Sequence, residues 1–216
     1  MDEIECSFIH YLKRVQTGYR HENDFYKFAE LNDVEVVPGK MSCLFRGPPP
    51  TITIQADLYG TKQSQAIGMH EMAHHLLEQG GFEAKMLHWY GGFDEALPTI
   101  EKMCFHGGLV LQMPEPMFEK VTKRYGTSPQ GILYLMDLSG AEFKEAMARW
   151  VYAQPGSYRA AFAASGNNIT HAMTTGNIWL PFWINSRVPE VHIVLPEAEL
   201  MSLGERIVLG TLVRYG

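Results

Sequence analysis

The stretch Met69–Gln79, MHEMAHHLLEQ, places three histidines and two glutamates among small and apolar residues. A helix advances about 100° per residue, so His70 and His74 stand one turn apart on the same face. Two neutral imidazoles at that spacing can share one metal ion. Glu71 points to the neighbouring face, within reach of water beside such an ion but outside its ligand set. This is the HExxH arrangement, and it reads as a helix over 63–79 that stops at Gly80-Gly81. Ala66, Ala73 and Leu77 are expected to anchor that helix in the core. His75 turns away from His74 and is expected in an outer or surface position. Glu78, one turn past His74, reads as a solvated side chain or an outer acceptor for it.

A catalytic zinc site wants three protein ligands and an open position. The third must come from further along the chain. Glu101, at the head of a helix expected over 98–112, has the right donor type. Asp94 and Glu95, in a segment read as an irregular loop over 82–97, are rivals.

Working outward, Ile4, Phe8, Leu12 and Val15 form the stripe of an N-terminal helix over 2–17, and a short helix is expected at 23–31. Strand-like pieces follow at 33–37, 42–46 and 51–55. Pro48, Pro49 and Pro50 stand before TITIQ (51–55) and suggest that it is an edge strand. Beyond 112, helical patterns cover 116–125, 129–138 and 140–148. The tail is aromatic and strand-like at 149–154, 158–164, 169–174, 178–184 and 191–195, with a turn at Gly166-Asn167-Asn168. Its aromatics read mainly as core, with PFW (181–183) as a candidate surface patch. The expected class is α+β, with a soft boundary near 126 or 140. That gives a first domain over 1–140 and a C-terminal α+β region over 141–216, suited to partner recognition.

The net charge is −6 and the basic residues are scattered, which argues against direct nucleic-acid binding. No apolar run approaches the roughly 20 residues of a membrane span. Three widely spaced cysteines and an acidic N-terminus suit a reduced, cytoplasmic protein. No nucleophile elbow or phosphate-binding loop is present. Cys104 and His106 lie two positions apart on one helix, so they point to different faces, and Cys104 reads as a structural thiol.

TITIQ, then HEMAHHLL, then Glu101 and QMP (112–114), in that order, resemble the ImmA/IrrE family of zincin-like metalloproteases. The resemblance covers about residues 25–150 and is most specific at 66–79 and 101–114. It implies zincin-like helices with a short mixed sheet, and it favours Glu101 as the third ligand beside His70 and His74, with Glu71 as base. It implies a Zn2+ cofactor, although Mn2+ or Fe2+ suits the same donors. It also implies a zinc-dependent cytoplasmic endopeptidase that cleaves a helix-turn-helix repressor in a stress response or in mobile-element control. The alternative is a non-catalytic regulator or antitoxin that binds a protein partner. His106 and Tyr90, with His88 and Tyr125 behind them, are the candidates for stabilising an oxyanion. TITIQ is expected to pair with an extended substrate. The family carries alanines and a phenylalanine where this chain has His106, Gly107 and Gly108. The glycines would either let two helices approach closely or kink the one that bears Glu101.

Overall fold

A computed structural model describes residues 3–153, 158–175, 178–204 and 206–214. The chain divides into two compact units. One is Met1–Pro116 with Ser139–Ala141; the other is Met117–Leu138 with Glu142–Gly216. The helical segment 117–138 therefore groups with the C-terminal part rather than with the first 140 residues. The class is α+β with a small strand-rich C-terminal part, as the sequence pattern implied. Among the described residues no helix is long and apolar enough to cross a membrane.

The first unit opens with α1 (Glu3–Gly18), whose stripe of Phe8, Ile9 and Leu12 is buried. The same stripe carries two buried polar residues, Glu5 and Gln16. Helix α2 (Phe25–Leu31) starts where Asp24 accepts the Lys27 amide at 3.0 Å, a side-chain cap on an otherwise orphaned donor. Strands β1 (Glu35–Gly39), β2 (Cys43–Phe45) and β3 (Thr51–Gln55) form a three-stranded sheet in the order β1-β3-β2.

β3 is parallel to β1 and antiparallel to β2, so it is the centre of the sheet. The expectation of an edge strand at 51–55 is corrected. The three prolines precede the strand, so they leave all of its amides free to pair on both sides. Ile52 and Ile54 are fully buried. The outer edge next to the third helix belongs to β2 instead.

Helix α3 (Lys62–Gln79) carries the HExxH stretch, and α4 (Phe82–Tyr90) and α5 (Phe93–Gln112) follow. The irregular loop expected over 82–97 is therefore helix on both sides of a break at Gly91-Gly92. Gly91, at φ 81°, ends α4 in the left-handed region where a Cβ is costly. Pro98 lies near the start of α5 rather than at its first residue.

α3 and α5 pack face to face, and the glycine pair explains how. A Cβ on Gly108 would lie 3.1 Å from both Cα and N of His70. A Cβ on Gly107 would lie 2.9 Å from Leu12 and 3.0 Å from the Ala73 Cβ. Of the two roles the sequence left open, close approach is the one realised. α5 runs as a single helix through both glycines.

In the second unit, α6 (Glu115–Tyr125, which begins at the unit boundary), α7 (Pro129–Ser139) and α8 (Phe143–Val151) precede a four-stranded antiparallel sheet. A reciprocal capping box between Glu142 and Glu145 starts α8. Arg149, Trp150 and Val151 are buried helix, which corrects the strand expected at 149–154; residue 154 lies outside the described residues.

The sheet has the order β5-β4-β7-β6, from β4 (Tyr158–Ser165), β5 (Asn168–Thr174), β6 (Glu199–Leu203) and β7 (Ile207–Arg214). β4 and β5 and the turn between them fall where the pattern put them. The other two strands do not. Residues 178–184 join no strand ladder among the described residues, and Ile178, Leu180 and Phe182 fill the core as an irregular segment; residues 191–194 form the short helix α9 (Val191–Val194). Pro181 interrupts the first of these runs, which suits core filling better than a ladder. β7 needs glycine at Gly210 because the Phe162 ring lies across it, 2.1 Å from where a Cβ would stand.

A candidate metal centre on two helices

α3 is apolar on the side facing the core. Met69, Met72, Ala73, Leu76 and Leu77 are all buried there. That leaves His70, Glu71 and His74 half-buried on the opposite side. Glu101 comes from the third turn of α5, held against α3 by the glycine contact.

The three side chains converge. His70 Nε2 and His74 Nε2 are 3.1 Å apart, and Glu101 oxygens lie 3.3 Å from the first and 3.4 Å from the second. These are the spacings of ligands around a small cation. Bonds of about 2.0–2.1 Å in a tetrahedral site place neighbouring donors about 3.3 Å apart. Two imidazole nitrogens aimed at each other at this distance repel unless a proton or a cation lies between them. The His2Glu donor set therefore fits zinc, and the half-exposed Glu101 side chain leaves one side open to solvent.

Burial pushes the pKa of His70 below its ordinary value, against the opposing pull of Glu101. Burial does the same for His74, with the His70 ring adding to it. Both rings therefore stay neutral, the ligand form, to a lower pH than a free histidine. Cation affinity is expected to hold from pH 8 through the ordinary histidine value of about 6.5 and to fall only at lower pH, as the two lowered pKa values are crossed. A chelator-competition titration across this range checks it; a fall that begins well above pH 7 contradicts it.

Glu71 behaves differently. Burial raises its carboxyl to about 7, the Leu44 backbone amide partly offsets this by donating to it, and the nearby Glu101 charge adds to the rise. A carboxyl near neutrality is suited to taking and returning a proton. The Leu44 amide comes from β2, the edge strand. Sequence reasoning missed this contact because nothing in LFR signals which strand lies beside α3.

The other named residues lie elsewhere. Asp94 and Glu95 are exposed in the first turn of α5, and only Glu101 joins the histidine pair. Of the oxyanion candidates, His106 is buried, with Nδ1 2.7 Å from Glu5 of α1. Tyr90 is exposed at the end of α4, its hydroxyl accepting from Thr99 at 3.2 Å. His88 is exposed in the last turn of α4. Tyr125 belongs to the other unit and packs on Tyr134 and Arg124.

Glu78 does not serve His74. Arg46, just after β2, pairs with Glu78 at 3.2 Å and with the buried Glu83 at 2.6 Å. His75 is half-buried, and its Nε2 has no hydrogen-bond partner among the described residues. Cys104 is fully buried, and burial pushes its thiol far above the usual range, so it is an inert packing group. Glu5 also takes Lys102 Nζ at 3.3 Å. Burial pushes its carboxyl up, but His106 and Lys102 outweigh this and leave it below the ordinary range.

No protein-family model matches the chain, and no curated protein matches it. Among solved structures, the chain is similar to a Mycobacterium tuberculosis transcriptional regulator, with 12% sequence identity and a TM-score of 0.59. That likeness covers 95% of this chain and 74% of the other. At such identity it establishes a shared fold and nothing about chemistry.

Proposed function

We propose that the chain is a zinc-dependent endopeptidase of the ImmA/IrrE type that cleaves a protein partner, a helix-turn-helix repressor, in the cytoplasm. The observation that supports this most is the convergence of His70, His74 and Glu101 at tetrahedral ligand spacing with Glu71 beside them. A structural site would close all four positions with protein ligands, whereas this one has three and an adjacent base. The repressor and the compartment rest on the HEMAHHLL…Glu101…QMP resemblance, and three free cysteines suit the compartment.

His70, His74 and Glu101 would hold the cation. When bound, zinc supplies Lewis acidity, which acidifies water and polarises a scissile carbonyl. Glu71 accepts the proton from the attacking water and delivers it to the leaving amine. The rigid apolar back of α3 keeps both imidazoles oriented, so little reorganisation is needed. The substrate strand is assigned to β2 rather than TITIQ, because both edges of β3 are already paired. On β2 the Leu44 amide donates to Glu71, so an extended peptide added along that edge would lie next to the base.

Incubating the purified protein with zinc and the helix-turn-helix repressor encoded beside it tests the reading. The repressor is expected to be cut at a defined site. A chelator should stop the reaction, and added Zn2+ should restore it, with Mn2+ or Fe2+ compared in parallel. A repressor left intact under every metal condition would favour a non-catalytic regulator instead.

A further inference from the structure

The Glu5 carboxylate is 3% exposed and lies on the core stripe of α1, where a charge is costly unless it is matched. On α5, His106 Nδ1 at 2.7 Å and Lys102 Nζ at 3.3 Å match it. Residues four apart occupy the same helix face one turn from each other. One contact would act as a pivot. Two contacts, one turn apart, fix both the rotation and the axial slide of the helix they hold.

α5 needs such a constraint. Its contact with α3 and α1 passes over Gly107 and Gly108, where no side chain interlocks, and is otherwise made by apolar groups such as Ile100, Met103 and Leu111, whose packing is non-directional. A group about 6 Å from a helix axis moves about 1 Å when the helix turns by 10°. Cation sites tolerate ligand displacements of only about 0.2 Å. Glu101 neighbours Lys102 on α5, so any turn of the helix moves it directly.

We propose that Glu5 is a positioning residue for the cation site: by clamping Lys102 and His106 it sets the rotation of α5 and hence the direction from which Glu101 meets His70 and His74. This rests on the reading of those three residues as cation ligands. Glu5 itself touches neither cation nor substrate; it acts through α5.

Titration of the full-length protein with Co2+, followed by its visible absorption, tests this. The variants are E5Q and the double variant E5L/H106L, which replaces the buried pair with apolar groups and so leaves no buried orphaned charge, the Lys102 side chain being more than half exposed. L12A serves as a control that loosens the α1–α5 contact without touching the clamp. E5L/H106L is expected to bind Co2+ at least roughly 10-fold more weakly, with an altered band pattern, as when an outer partner of a ligand is lost. E5Q is expected to shift both readouts in the same direction. L12A should keep the wild-type affinity and spectrum at temperatures where it is folded. Wild-type affinity and spectrum in E5L/H106L would overturn the proposal, as would the same result in E5Q if the double variant does not fold. A matching loss in folded L12A would overturn it too, since the effect would then be one of packing. A wild-type chain that binds no Co2+ would remove the cation site itself, and this inference with it.

Discussion

Replacing Glu71 with Gln is expected to lower peptide hydrolysis by about 10²–10⁴ and to leave cation affinity within about twofold of the wild type, because the role proposed for the residue removed is that of a base and not a ligand. The carboxamide has the same shape and can still accept the Leu44 amide, so α3 and β2 keep their relation. What it cannot do is carry a proton between water and the leaving amine. Losing a positioned acid–base group costs about 10²–10⁴ in rate. The carboxyl being replaced sits near pH 7 through burial, so the wild-type protein has both protonation states in reach at neutrality. Cleavage assays and chelator competition on the same preparation separate the two quantities. Cleavage by E71Q within a few-fold of wild type would take Glu71 out of the mechanism; cleavage and metal binding lost together would mean that the variant had disturbed the site rather than the chemistry.

The second large effect is expected at Gly108. Valine there gains helix propensity over glycine, yet its branched side chain must enter space where even one Cβ meets the His70 backbone at 3.1 Å. The neighbour is backbone on a packed helix, not the end of a flexible side chain, so it cannot turn aside. Overpacking of this kind costs about 3 kcal/mol, the upper end of what inserted carbons usually do. The helices must separate, and Glu101 moves away from the two histidines as they do. G108V should therefore lower the thermal midpoint of the metal-free protein and weaken cation binding as well. G108A is the graded comparison, with a smaller loss of both. A G108V protein as stable as wild type, with unchanged affinity, would mean that the close approach of α3 and α5 is not what holds the site together.

These two residues differ in how far the sequence alone could reach them. Glu71 was legible at once. HExxH on a helical pattern fixes the relation of three side chains by local geometry, since 100° per residue leaves no freedom once the helix is granted. The apolar stripe of α1 and the hairpin at Gly166–Asn168 were legible for the same reason, being written in spacings of a few residues. Gly107 and Gly108 were visible as an oddity, but their meaning was not, because propensity says only that glycine weakens a helix. What lies across from a residue is a long-range fact. The same limit explains TITIQ. Its β-branched alternation marked a strand, yet whether a strand has one neighbour or two depends on where the chain brings it back, and β3 returns to a place between β1 and β2. In the tail, residues 178–184 read as a strand by composition, yet Ile178, Leu180 and Phe182 fill the core while Trp179, Trp183 and Ile184 stay exposed, whereas β6 and β7 gave no signal strong enough to be picked out.

Local periodicity, then, determined α1, α3 and the helices of 115–148, the class, and the placing of His70 and His74 on one face with Glu71 beside them. Tertiary packing alone decided that Glu101 rather than Asp94 or Glu95 completes the cluster, that β2 supplies the edge, and that Glu5 and His106 face each other across 101 residues of chain. Hydrogen bonds and ligand contacts act over about 3 Å, while the residues that make them are joined only by the fold, so no spacing in the sequence can encode the match.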